Sequence, residues 1–527
     1  LKKLYCNGKI LTMEDENPVV EAVIEENGKI AFAGSLADVD EDFGEFEKVD
    51  LKGRIMMPAF IDAHSHFSAT ANSSLQVSLD DAKSFSEIAD KIRAFIAERG
   101  IGKGEWINAK GYDHNSLKEK RHPDRAFLDS CCPENPVVIQ NSSGHMGVFN
   151  SRGLEAIGVD ENTEPPEGGL IGKEEGVLTG YMEENAFVEY LKKVPMPSLD
   201  DLLKAYSKAQ DYYASYGITT IQEGFMVKEM IPFYRSLLDR GLLKLDVVGY
   251  SDVKDSGIIM KEFSRSIGAY DRGFKLGGYK VFLDGSPQAR TAWMREPYKG
   301  EADYCGYGTM EDKDLEDAIN LALEKNLQLI AHCNGDRAAA QYIEKFKKIG
   351  EYRSIDKIRP VIIHAQLIGR DQLELVKELN LIPSFFVGHV YHWGDIHVEN
   401  FGEERASRIS PAKSSLERGI RFTFHQDTPV TAPDMLESVW CAVNRITKGG
   451  KALSKEEGID VLNALKAVTI NSAYQYFEED SKGSISPGKN ADFVLLDRNP
   501  LEVDSMGIRD IKVMETIKDG KTIYRRP

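Results

Sequence analysis

Eight apolar runs that read as strands recur along this chain, with helical patterns between them. They lie at 58–66 (PAFIDAHSH), 216–224, 242–252, 277–285, 327–332, 359–364, 381–386 and 420–427. Several are apolar on both faces, as strands covered by helices must be. LEDAINLALEKN places Leu315, Ala318, Ile319 and Ala322 on one stripe, and RAAAQYIEKF does the same with Ala339, Ile343 and Phe346. Strands that alternate with helices form a parallel sheet, and eight such units imply a closed (β/α)8 TIM-like barrel. An open six-stranded sheet with a Rossmann crevice is the competitor. No GxGxxG opens a helix after the first strand, which ranks that alternative lower.

The two ends of the chain read differently. Residues 1–57 alternate in short strands that turn at Asn-Gly pairs, which are hairpin signals. The last fifty or so residues repeat the style, with ADFVLLDRN as a strand and a hairpin turning at Asp519-Gly520. Residues 1–57 and 478–527 are therefore expected to form one composite β-sandwich domain, leaving 58–477 as an α/β barrel. One interval is far too long for a βα loop, which usually spans about 2–6 residues. It contains a helix at 84–99, the strand-like WINAKGY and PVVIQNSS, and the Gly-rich EGGLIGKEEGVLTG. Residues 67–200 are thus expected to be an inserted subdomain. It leaves the barrel after strand one, on the face where barrel enzymes keep their chemistry, so it is expected to roof the active site.

The net charge of −18 argues against nucleic acid and anionic membranes as partners. No run approaches the roughly 20 apolar residues of a membrane span. The first residues lack the apolar core of a signal peptide. Six scattered cysteines without a CxxC fit reduced thiols, so a cytoplasmic location is expected. A small-molecule substrate is the expected partner. Oligomeric state is open, with a homodimer the commonest arrangement for soluble chains.

The chemistry is concentrated at strand ends. His64 and His66 stand two apart and share a face with Asp62, an arrangement that suits a divalent metal or a pair of hydrogen-bonded core histidines. Strand four carries Lys280, strands five and six end in His332 and His364, and strand eight ends in Asp427. A cationic lysine beside metal ions is repelled. A desolvated lysine is nucleophilic and can add carbon dioxide to become an anionic carbamate that bridges two metals. The alternatives are a lysine paired with Asp284, two positions beyond Phe282 on the same face, or one reaching to water.

These motifs resemble the amidohydrolase superfamily in its binuclear form. More narrowly, the chain is similar to amidohydrolase family 3, the branch that includes N-substituted formamide deformylases. The resemblance covers nearly the whole chain. It rests on PAFIDAHSH, GHMGVFNSRGLEAIG, YKVFLDGSPQARTA, AHCNGDRAA, RPVIIHAQL, HQDTPV, AVTINSAY and GSISPGKNADFVLLD. The chain departs from the pattern at FHQDTPV, where many relatives have a serine before the aspartate, and at the proline of DGSPQAR.

The resemblance implies that His64, His66 and Asp427 hold one metal and His332 and His364 a second, with carbamylated Lys280 bridging them. The implied metals are two Zn2+ per chain, which imidazole and carboxylate bind well. A metal-bridging hydroxide would attack the carbonyl of a non-peptide carbon–nitrogen bond, while Asp427 moves the proton to the leaving amine. An exocyclic amide such as an N-substituted formamide or N-acyl compound is the leading substrate. A deaminase or cyclic-amide hydrolase on the same scaffold is the alternative, and a metal-free binding module is a third reading.

Further positions are of interest. His145 is read as a carbonyl or oxyanion donor, against a loop-capping role. Arg290 and Asp113 are read as substrate contacts, the latter at the pocket rim or in a turn beside His114. Of His389, His392 and His397, one, His389, is expected to line the pocket and the others to face water, against an extra metal site formed by the three. Trp106 and Trp393 are pocket walls or core.

Overall fold

The computed structural model describes residues 2–40, 43–195 and 197–527. The described residues divide into two compact units, 1–68 with 207–527 and 69–206. The first unit contains the eight-stranded sheet. Its strands are β1 (Phe60–Ile61), β2 (Ile218–Met226), β3 (Asp246–Asp252), β4 (Phe274–Phe282), β5 (Gln328–Cys333), β6 (Val361–His364), β7 (Ile382–Phe385) and β8 (Thr423–Phe424). They lie side by side in chain order, and every neighbouring pair is parallel.

All eight expected strands are present, but the first and last are much shorter than expected. The residues after them leave the ladder and turn toward the site. The sheet curls, so the segments that follow β1 and β8 meet: the His66 N–H donates to the Thr428 carbonyl at 2.8 Å. Ile61, Val248, Tyr250, Ile330, Val361, Ile363 and Ile382, drawn from five strands, pack into one buried cluster with Ala473 and Tyr476. The concave side is therefore a filled core.

The helical stripes form as the periodicity predicts, as α1 (Asp312–Lys325) and α2 (Asp336–Gly350). Asn326 closes α1 in the left-handed region, where its short polar side chain is tolerated.

Two further sheets belong to this unit. One has four strands, all from residues 2–50, and the other has six. The six-stranded sheet joins the chain's two ends, because Ile55–Pro58 pairs antiparallel with Phe493–Leu496. Tyr5, Val23 and Ile30 of the first sheet share a buried cluster with Met56, Phe493, Leu495 and Ile517 of the second.

Asn27-Gly28 and Asp519-Gly520 turn hairpins as expected, each with both residues at positive φ. Asn7-Gly8 does not. Lys2–Cys6 pairs in the four-stranded sheet and Lys9–Leu11 in the six-stranded one, so the chain crosses between sheets there. Gly8 is required by close approach, since a Cβ would sit 2.4 Å from the Arg54 carbonyl oxygen.

The second unit has its own six-stranded sheet, built from strands between Val77 and Glu183. The expected helix at 84–99 is Phe85–Arg99, capped by Ser84 at its start and by left-handed Gly100 at its end. The Gly-rich EGGLIGKEEGVLTG folds as the hairpin Gly169–Glu174 and Val177–Glu183, turning at Glu175-Gly176. No helix among the described residues is long and apolar enough to cross a membrane.

Candidate metal centre

The segment after β1 is fastened to the end of β2. Gly224 N–H donates to the Ser65 carbonyl at 2.9 Å, and buried Glu223 accepts from the Ser68 N–H at 2.8 Å and the Tyr234 hydroxyl at 2.6 Å. Gly224 has to be glycine, because a Cβ there would lie 2.8 Å from the His64 ring and 2.9 Å from the Ser65 oxygen.

His64 is oriented from behind. Gln222 turns its amide nitrogen to the Ala63 carbonyl and the Tyr476 hydroxyl, both at 3.0 Å. Its oxygen therefore faces His64 Nδ1, at 2.5 Å. That oxygen only accepts, so Nδ1 carries the hydrogen and Nε2 presents its lone pair forward.

Forward of His64 lie Asp427 and Lys280. Asp427 Oδ1 is 3.4 Å from His64 Nε2 and 3.3 Å from His66 Nε2, and its Oδ2 is 3.9 Å from His364 Nε2. Lys280 Nζ is 3.4 Å from His64 Nε2. His332 Nδ1 is 3.1 Å from His364 Nε2. One ligand atom each from His64, His364 and Asp427 falls within 4.8 Å of the others, a spacing that fits one cation. The structure thus brings together all six residues that the sequence singles out at strand ends.

Two of them stand in left-handed backbone, His364 at φ 71° and Asp427 at φ 52°. The reason at His364 is geometric. Ile363 already points into the concave core, so regular alternation would turn His364 away. The positive φ re-aims it, at a cost of order 1–3 kcal/mol.

Burial dominates the electrostatics. It holds the His64 and His364 imidazoles well below their ordinary value, helped by Lys280 at His64 and by His332 at His364. Burial and then the Lys280 charge bring His332 down to about 4. These rings are neutral near pH 7, as ligands must be. Burial pushes the Asp427 carboxyl up, yet the His66 hydrogen bond and the neighbouring imidazoles outweigh it and leave the carboxyl well below the usual range.

Lys280 is 1% exposed, and burial lowers its ammonium to about 8 despite the opposing charge of Asp427. Neither alternative reading of Lys280 describes this geometry. It does not reach water, and Asp284 is engaged elsewhere. The Asp284 carboxylate accepts three backbone N–H groups, from Trp293 at 3.0 Å, Asn334 at 2.9 Å and Gly335 at 2.7 Å.

The remaining expected residues have other surroundings. His145 is exposed, with Nδ1 3.2 Å from Glu184 Oε2. Asp113 accepts from the Asn115 N–H at 2.9 Å and the Ser116 hydroxyl at 2.7 Å, a turn-forming arrangement. Arg290 pairs with Glu301 at 3.0 Å. His389 opens a helix, α3 (His389–Phe401), and its Nδ1 is 3.0 Å from His397 Nε2. His397 does not face water as expected. It is fully buried two turns further along the helix, and His392 is half-buried against Glu437 at 2.8 Å.

Sequence reading passed over His425. It stands two residues before Asp427, is fully buried, and has Nε2 3.2 Å from His364 Nδ1. Strand alternation was the available signal, since 425 and 427 share a face in a regular strand. Gln222 and Gly224, both within β2, carried no chemical signature of their own.

The Amidohydrolase family model matches residues 47–524. The chain belongs to the amidohydrolase family. This amidohydrolase is similar to the N-substituted formamide deformylase of Arthrobacter pascens, with 25% identity covering 99% of this chain and 98% of that protein. It is similar at 27% identity to the protein LONG AFTER FAR-RED 3 of Arabidopsis thaliana, covering 99% and 91% of the two chains. Among solved structures it is similar to an uncharacterized metal-dependent hydrolase from Pyrococcus horikoshii OT3. That match has a TM-score of 0.76 at 28% identity, covering 96% of this chain and 99% of that one.

Proposed function

We propose that this amidohydrolase is a metal-dependent enzyme that hydrolyses a non-peptide carbon–nitrogen bond, an exocyclic amide of the N-substituted formamide or N-acyl kind. The observation that carries the reading is the convergence of His64, His364 and Asp427 donor atoms within 4.8 Å, beside a buried lysine. The curled parallel sheet is read as a (β/α)8 barrel, with the terminal sheets as a β-sandwich. Likeness to a formamide deformylase over nearly the full length of both chains supports the substrate class.

His64, His66 and Asp427 are assigned to one zinc, and His332 and His364 to a second. Lys280 is assigned to both as a carbamate. Its ammonium loses a proton, the free amine adds carbon dioxide with formation of a nitrogen–carbon bond, and a second proton leaves. The charge changes from +1 to −1, which replaces repulsion of cations by attraction. When bound, the metals supply Lewis acidity toward a carbonyl and ease the ionisation of water. Asp427 takes a proton from the attacking water and returns it to the departing amine, which leaves poorly without it. His389 is assigned to the pocket wall.

The test is a zinc-loaded screen against N-formyl, N-acyl and cyclic amides, with products identified by mass spectrometry. Release of an amine with formate or another carboxylate supports the proposal. Release of ammonia identifies a deaminase, and a ring-opened product a cyclic-amide hydrolase. A chain that carries no metal after metal-supplemented growth is a binding module, and the proposal is then wrong.

A further inference from the structure

Three residues on neighbouring strands form a line behind the candidate metal centre. His364 ends β6, Ser384 lies in β7, and His425 follows β8. His425 Nε2 is 3.2 Å from His364 Nδ1, and His425 Nδ1 is 3.0 Å from the Ser384 hydroxyl oxygen. Ser384 and His425 are both fully buried, so water supplies neither with a partner from bulk solvent.

This line fixes the orientation of a ring that the strand alone does not. His364 directs Nε2 toward His332 and Asp427 and turns Nδ1 away from them, toward His425. A neutral imidazole has one N–H and one lone pair. If His364 is to offer a lone pair at Nε2, its hydrogen must be on Nδ1, and a buried N–H needs an acceptor. The ring nitrogen facing it is His425 Nε2. Accepting there puts the His425 hydrogen on Nδ1, where the Ser384 oxygen can receive it. Both nitrogens of His425 are then used, and neither is available to a cation.

We propose that His425 is a positioning residue, which with Ser384 holds the hydrogen of His364 on Nδ1 and thereby presents its Nε2 to a metal. The inference rests on the reading of the site as a metal centre. It gives His364 the same support from behind that Gln222 gives His64, by a different chemical group. It also accounts for a second imidazole so close to His364 that belongs to neither assigned ligand set. In a metal-free chain the line can run the other way, with Ser384 donating to His425 and His425 to His364. Metal binding then reverses the direction of two hydrogen bonds.

The experiment measures zinc affinity by chelator competition in the full-length protein, together with nitrogen-15 spectra of the histidine rings. His425→Phe keeps a ring in the space and removes both nitrogens. It is expected to weaken zinc binding roughly 10–100-fold, the range for loss of an orienting partner. His425→Gln can place an amide oxygen near the lost Nε2 and is expected to recover most of that loss. In the zinc-loaded wild type, the His364 resonances are expected to show a protonated Nδ1. A bare His364 Nδ1 in that spectrum overturns the proposal, and this reading does not depend on any variant folding. So does wild-type affinity in a folded His425→Phe protein. Wild-type protein that binds no zinc instead overturns the metal-centre reading on which the inference stands.

Discussion

The side-chain oxygen of Gln222 lies 2.5 Å from Nδ1 of His64. Its amide nitrogen is held by Ala63 and Tyr476, so the oxygen cannot turn away. Replacement by Leu removes the acceptor that faces this nitrogen and leaves a buried N–H unpaired. Gln222→Leu is expected to weaken metal binding roughly 10–100-fold, whereas Gln222→Glu, which keeps an acceptor, loses less. Chelator competition separates the two.

Lys280 provides the sharpest test of the carbamate. Lys280→Ala is expected to lose bound metal and roughly 10²–10³-fold or more of activity, since a charged anchor is removed from the centre. Short carboxylic acids should restore part of both, because they supply the missing anion in the vacated space. Elemental analysis with and without the acid is the measurement. Full activity in the variant would refute the carbamate role.

Gly224 tests the backbone that carries the ligands. A Cβ there lies 2.8 Å from the His64 ring and 2.9 Å from the Ser65 oxygen, so one of them must move. Gly224→Ala is expected to destabilise the fold by about 1–3 kcal/mol. It should also lose metal out of proportion to that change. Thermal unfolding and metal content, measured on the same samples, show whether the two effects part.

A pH dependence is expected away from the centre. Asp492 is buried just before the strand Phe493–Leu496, and burial pushes its carboxyl up to about 6 although Lys518 and Lys482 oppose the shift. The native chain therefore binds a proton there more tightly than the unfolded chain does. Stability from this group is present below about pH 4 and is lost as pH rises through about 6, by at most about 3 kcal/mol. Asp492→Asn cannot ionise and should flatten that fall. Chemical denaturation of both proteins between pH 4 and pH 7 checks the sign.

The sequence by itself determined the period of the chain: eight strands in order, helices between them, and metal-ligand side chains at the strand ends. Those features are local. A strand and its end can be recognised by their own residues: Lys280 lies within β4, His332 and His364 lie at the ends of β5 and β6, and His64, His66 and Asp427 follow β1 and β8. It also marked Asn27-Gly28 and Asp519-Gly520 as turns, because two consecutive positive φ angles depend on the dipeptide. The same signal misread Asn7-Gly8, where partners from elsewhere in the chain decide which sheet each flanking strand joins.

Tertiary structure alone decided which way the side chains face. His364 points into the centre only because its backbone departs from strand geometry, and nothing within RPVIIHAQL announces that. Gln222 and His425 orient ligands from other strands, so their roles exist only once the sheet has curled and set them behind His64 and His364. Hydrogen-bond partners far apart in the chain have no periodicity to betray them. The low exposure that turns Lys280 from a surface cation into a candidate nucleophile is likewise a property of the packed core, not of any stretch of sequence.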